Sequence, residues 1–259
     1  MPVSILSLTI LVAASSTAAE NRPTPSVTVE VMRTPAEQLK LGERLIQKVW
    51  KADTQQARDH AIASADLHLA VIPQRWPDAK NAIVGAAIYR ADILLTFMRP
   101  YNALDALQTA RSAAVGQDLE PALLRRLGDA LDLLNRRAEA EAAYREAEGH
   151  RAFGKLAVGE KVLLLKASAT LYSRTGRSEQ SAPRFRRLSD LRELDPASRA
   201  WWRILAAREL TGQAGAAIAA DVAVAERLLD ESERSGRSDR RQIGKLRSAI
   251  ASLKKAHGL

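Results

Sequence analysis

The chain contains no cysteine. That excludes a disulfide framework, a thiolate metal site, an iron–sulfur cluster and a cysteine nucleophile. Aromatic residues make up only 4% of the 259 residues and there are four histidines, so material for a stacking surface or an imidazole-rich metal site is scarce. No G-x-S-x-G elbow, phosphate-cradling glycine loop or H-E-x-x-H pair occurs. Acidic pairs such as Glu139/Glu141 and Glu146/Glu148 stand two apart on a helical pattern and point in different directions, so they cannot act as one site. His60 and His68, eight residues apart, lack the i, i+4 spacing of paired metal ligands and are expected as polar rim residues. His150 follows a helix end, where a cation complements the dipole, and His257 lies in a terminal turn. With no nucleophile, base and oxyanion donors assembled, we expect a chain that is not an enzyme and carries no cofactor or metal. What is present is ordinary for a globular protein: 46% hydrophobic and 27% charged residues. Such a composition argues against both a disordered chain and a polytopic membrane protein.

Residues 1–19 carry no charged side chain, and an apolar run over residues 5–14 gives way to small residues ending at Ala18 and Ala19. That order is an h-region followed by an A-x-A-like cleavage site, although Met1 to Ser4 lack the usual Lys or Arg. We expect a signal peptide over 1–19, with a mature chain beginning at Ala19 or Glu20 and a periplasmic or extracellular location. An uncleaved N-terminal anchor is the alternative, since the stretch barely reaches the ~17 residues that span a bilayer. Residues 20–33, with Pro23, Pro25 and alternating Val27, Val29 and Val31, are expected to form an extended tether, a lone strand having no partner in a helical chain. Thr34-Pro35-Ala36-Glu37 then supplies a capping Thr, Pro at the first helical position and the Glu of a capping box. From there to residue 259 the pattern is helical, in segments of about 12 to 18 residues joined by short turns, which predicts antiparallel helix pairs.

The best-defined segment is Leu124-x2-Leu127-Gly128-x2-Leu131 followed by Ala140-x3-Tyr144-x2-Ala147. Small residues at 128 and 140 allow two helices to approach closely, with Leu127, Leu131 and Tyr144 filling the gap between them. A second copy runs through Leu165, Ala169, Tyr172, Ser181, Phe185 and Leu188, with its second helix expected to begin near Ser181 because of Pro183. A preceding copy has Ala91, Leu94, Ala103, Leu107 and Ala110. A following copy opens with either Trp201, Ile204 and Leu205 or the equally good stripe Trp202, Leu205, Ala206 and Leu210. Glu43 to Ile72 is a degenerate further pair closed by Pro73. Repeats start near 84, 121, 162 and 198, at spacings of 37, 41 and 36. These motifs resemble the tetratricopeptide (TPR) signature, whose unit is about 34 residues. The resemblance implies an all-α, right-handed α-solenoid of about four divergent TPR-like units over 34–259. A helix over 239–256, with Ile243, Leu246, Ile250 and Leu253 on one stripe, would cap it at the C-terminal end.

Charge is uneven. The balance is +2 over residues 1–173 and +7 over 174–259, giving the net +9. By the TPR resemblance, a concave groove would be lined in the second unit by Ala122, Arg125, Asp129, Asp132 and Leu133. The third unit would offer Leu163, Lys166, Thr170, Ser173 and Arg174, and the fourth Arg199, Trp202, Ala206, Glu209 and Leu210. Ile88 and Asp92 replace the Lys and Asn clamp with which some members hold a chaperone's carboxyl tail. The resemblance therefore implies a non-catalytic scaffold that binds an extended protein segment. An acidic or carboxylate group would lie among Arg125, Lys166, Arg174 and Arg199, with an apolar anchor on Trp202. If the alternative register holds, Trp202 instead packs between helices. The C-terminal basic residues leave a second class open, a helical binder of nucleic acid or another anionic polymer, which export disfavours. Membrane contact would come only through an uncleaved N-terminal segment.

Overall fold

The computed structural model describes residues 6–10, 27–210, 215–235 and 240–259. The chain divides into two compact units, 1–154 and 155–259. In the first, α1 (Pro35–Lys51) pairs with α2 (Gln55–Arg75), α3 (Lys80–Thr96) with α4 (Pro100–Ala114), and α5 (Glu120–Leu133) with α6 (Arg137–Gly149). In the second, α7 (Val158–Arg174) pairs with α8 (Ser178–Ser189) and α9 (Pro196–Glu209) with α10 (Gly215–Ser235), and α11 (Arg240–His257) packs on both α9 and α10. The expected all-α hairpin architecture is what forms, with five helix pairs among the described residues: the segment read as degenerate, α1/α2, is a complete pair.

Local chemistry sets the helix ends. The Thr34 Oγ1 accepts the Glu37 N–H at 3.2 Å while the Glu37 carboxylate accepts the Thr34 N–H at 3.2 Å, closing the expected capping box. Asp195 caps α9 by accepting the Ser198 N–H at 2.9 Å. Helices α3, α5 and α7 all stop in the same way: the residues Met98, Asn135 and Gly176 take positive φ. The following N–H bonds back five residues, as in Arg99 to the Leu94 carbonyl at 2.7 Å, Arg136 to Leu131 at 2.8 Å and Arg177 to Tyr172 at 2.9 Å. These turns fall 37 and 41 residues apart, the spacings read from the sequence repeats.

Inside the pairs, the small positions do what the repeat pattern requires. A Cβ added at Gly128 would lie 2.4 to 2.8 Å from three ring carbons of Tyr144, so α5 crosses α6 at a distance only glycine permits. Ala140 is fully buried beside this crossing. Ala140→Leu is expected to overpack it and lower stability by about 1 to 3 kcal/mol in denaturant unfolding. Pair α1/α2 repeats the arrangement, with Gly42 against Leu69, where an added Cβ would meet a side-chain carbon at 2.3 Å. Its core continues through Val49, Ile62, Ala65 and Ile93.

Two boundaries and one register differ from expectation. Pro73 lies inside the last turn of α2, which runs on to Arg75. Pro183 lies inside α8, which begins at Ser178, three residues before the expected Ser181. Each expected register of α9 is met in part: Ile204 of the first stripe and Ala206 and Leu210 of the second are buried together with Ala200 and Ala207, while Trp201, Trp202 and Leu205 remain half-exposed. The terminal helix fits its expectation, with Ile243, Leu246, Ile250 and Leu253 buried.

Val27–Val31, placed by the sequence in a tether without a strand partner, is instead strand β2, paired antiparallel with β1 (Leu6–Ile10). Val27 and Val29 are buried and Thr28 and Glu30 exposed, the alternation of a strand packed on one face, here against α2. The expected cleavage site at Ala18 or Ala19 lies outside the described residues, as does most of the 1–19 segment. No helix among the described residues is long and apolar enough to cross a membrane.

Candidate functional site

In the first unit, the first helices of successive pairs face each other through charge. Arg126 of α5 grips Asp92 of α3 with two bonds, Nε to Oδ1 at 2.7 Å and Nη2 to Oδ2 at 2.8 Å. Arg125, expected to line a groove, is 7% exposed and bonds Asp129 one turn on, with Asp92 at 3.9 Å. Asp129 also accepts the Tyr144 hydroxyl at 2.7 Å. Burial pushes the Asp129 carboxyl above its ordinary pKa, against the pull of Arg125 and the Tyr144 hydroxyl. This face is charge-compensated, and Arg125 is already committed within it.

The second unit differs. Ser173 of α7 and Glu209 of α9, both expected on the groove face, meet in a 2.8 Å hydrogen bond. Along α7 the side chains of Leu163, Lys166, Thr170 and Arg174 are exposed. Trp202, seven residues before Glu209 and so on the same side of α9, stacks on Phe185 of α8 with ring centroids 6.0 Å apart and planes 10° from parallel. Its half-exposed ring thus joins two helices. Arg199 projects elsewhere. Its Nε donates to the Ser189 carbonyl at 2.8 Å, and it lines a cleft of 550 Å³ with Arg203, Arg227 and Arg234, where Asp190 and Glu231 are the acidic members and Val224 and Leu228 the apolar floor. Lys166, Arg174 and Trp202 do not line this cleft.

A buried ion network fixes the cleft wall. Asp221, 4% exposed at its side chain, accepts Arg186 Nη2 at 2.8 Å and Arg203 Nη1 at 3.0 Å, and Arg203 Nη2 reaches Asp190 at 2.8 Å. Held so, Arg203 has a buried Nε–H without an acceptor among the described residues, and the nearby Ser189 hydroxyl is likewise buried and unmatched. Such donors carry a desolvation cost until an acceptor arrives. Two further C-terminal cations are paired internally: Arg247 bonds Asp230 at 2.7 Å and Glu233 at 2.8 Å, and Lys254 bonds Glu226 at 2.6 Å. In the sequence Arg203, Arg227 and Arg234 show only as members of the basic region 174–259. The signal that would have found them is spacing, 199/203 on one helix and 227/234 on the other, each pair on one face. Among the described residues no group of three His, Asp or Glu side chains is placed to hold a metal ion.

Helix pairs in sequence, small residues at their crossings and a recurring C-terminal turn define a TPR-like α-solenoid. PilF of Pseudomonas aeruginosa shares this fold, with a TM-score of 0.52 and 15% sequence identity over 85% of this chain and 88% of that one. MamA aligns at a TM-score of 0.49 and 11% identity, over 69% of this chain and 92% of that one. No protein-family model matches the sequence, and no curated protein matches it.

Proposed function

We propose that the protein is an exported, non-catalytic interaction module that holds an extended segment of a protein partner through an acidic or carboxylate group seated in the cleft between α9 and α10. The observation that carries this is the composition of the cleft. Four arginines face two carboxylates over an apolar floor, and one of those carboxylates, Asp190, is already taken by Arg203. Arginine suits the task because its planar donors match a carboxylate and its stem covers apolar surface. Lys166 and Arg174 on α7 and the half-exposed ring of Trp202 supply a second, outlying contact for the same segment. An acidic protein segment suits this surface better than nucleic acid, because Arg186, Arg247 and Lys254 are paired with Asp221, Asp230, Glu233 and Glu226, which thins the basic surface outside the cleft.

Once a partner is captured, Arg199→Glu and Arg227→Glu are expected to weaken its binding at least tenfold each while the melting temperature barely moves. Lys166→Glu is expected to have a smaller effect. Unchanged affinity in all three reversals contradicts the assignment, and equal binding to single-stranded DNA and to protein would favour the anionic-polymer alternative. Export is tested separately by mass spectrometry of the mature terminus. A chain beginning at Ala19 or Glu20 supports it; soluble cytosolic material retaining Met1 or Pro2 contradicts it.

A further inference from the structure

Strand β2 has two edges, closed by different means. Main-chain groups alternate along a strand, so those of residues 28, 30 and 32 face one neighbour and those of 27, 29 and 31 the other. On the first edge the Glu30 N–H donates to His68 Nε2 at 3.0 Å and the Met32 N–H to Gln38 Oε1 at 2.8 Å. Gln38 Nε2 returns a bond to the Glu30 carbonyl at 3.2 Å and another to the His68 carbonyl at 2.9 Å. His68 Nδ1 lies 2.7 Å from the Ser64 carbonyl, which makes Nδ1 the donor and leaves Nε2 to accept. Gln38 is 0% and His68 5% exposed, so His68 is not the rim residue its sequence context suggested. Two buried side chains of α1 and α2 therefore act as a neighbouring strand and hold β2 by contacts that do not involve β1.

The second edge is occupied by Leu6–Ile10, with Leu8 opposite Val29. Sixteen residues separate the two strands, whereas a tight hairpin uses two to five. A closure of that length gives β1 only a modest advantage over a strand supplied by another molecule. An edge left open is also a hazard for a folded protein unless something covers it.

We infer that this edge is a docking site for an extended five-residue segment of a partner protein, apolar and hydroxyl-bearing in alternation like Leu6-Ser7-Leu8-Thr9-Ile10, which adds antiparallel to β2 in place of β1. Removal of residues 1–19 would leave the edge permanently open; that consequence rests on the proposed export, and the edge itself does not.

The test uses the full chain. Leu8→Pro removes the N–H that β1 gives to Val29 and disfavours the strand. The probe is a fluorescein-labelled Leu-Ser-Leu-Thr-Ile peptide flanked by lysines, which keep it off the basic cleft. Leu8→Pro is expected to bind the probe at least tenfold tighter than the parent, and adding Val29→Pro to abolish binding. In hydrogen exchange of Leu8→Pro, the Glu30 and Met32 amides should stay protected while Val29 and Val31 exchange at least a hundredfold faster, with the probe restoring them. Equal or absent binding by parent and variant overturns the proposal. So does loss of protection at Glu30 along with Val29, since β2 would then depend on β1. An intact Met1 terminus would remove export and leave these outcomes unaffected.

Discussion

Gly128→Ala is expected to destabilise the protein by up to about 2 kcal/mol, although alanine is the better helix former by about 1 kcal/mol. The added Cβ would sit 2.4 Å from Tyr144 Cε1 and 2.6 Å from Cδ1, closer than carbon atoms pack. Tyr144 cannot easily give way, being 2% exposed and tethered through its hydroxyl to Asp129 at 2.7 Å. Relief requires α5 and α6 to separate, and overpacking of this kind costs roughly 1 to 3 kcal/mol before the helix-propensity gain is subtracted. Gly244 provides the control. It is also helical, but exposed, with nothing within 4 Å of an added Cβ, so Gly244→Ala should stabilise α11 by roughly 0.5 to 1 kcal/mol. Denaturant unfolding of the two variants should move in opposite directions. Equal stabilisation by both would mean that α5 and α6 do not cross where the repeat pattern places them.

Asp221→Ala should have the largest effect of any single charge removal. This carboxylate is almost fully covered and is shared by Arg186 and Arg203, so its loss leaves two neighbouring guanidinium groups with only the exposed Asp190 still bonded to Arg203. Breaking a buried pair from one side costs about 3 to 5 kcal/mol. Partial exposure of Arg186 places the expected value at the lower end of that range. Asp221→Leu combined with Arg203→Met removes the carboxylate and its more buried partner, leaves only the one-third-exposed Arg186 without its bond, and should recover part of the loss. A double variant as unstable as Asp221→Ala would show that the network acts through shape rather than charge.

Much of the fold was legible because it depends on local chemistry and on spacing. The Thr34 capping box, the Leu124 to Ala147 signature and the four-residue stripe of α11 all involve residues within one helix or one hairpin. The spacings of 37 and 41 reappear in three dimensions as the positions of Met98, Asn135 and Gly176. Where expectation failed, a long-range partner had changed the local requirement. In α1, Leu41-Gly42-x2-Leu45 has the same form as Leu127-Gly128-x2-Leu131. Gln38 stands where the pattern leads with a large apolar residue, however, because its carboxamide is needed to hold β2. The partner of β2 was hidden because it lies sixteen residues upstream, beyond any hairpin signal. In α9 the adjacent Trp201 and Trp202 dominate a hydrophobicity reading, yet the helix packs on the small face Ala200, Ile204 and Ala207, which lets its neighbours come close. The cleft combines the end of α8, one turn of α9 and a face of α10, an assembly that no window of sequence contains.

The proposed function turns on recognition, by the α9/α10 cleft, of an acidic group on an extended protein segment. A display library of 12-residue peptides, selected in parallel on the parent and on the Arg199→Glu/Arg227→Glu variant, tests it most directly. The parent is expected to enrich peptides with acidic side chains or a free carboxyl terminus, and the variant, melting at the same temperature, to fail to enrich them. Enrichment of the same peptides by both proteins, or of peptides without acidic groups by the parent, would contradict it.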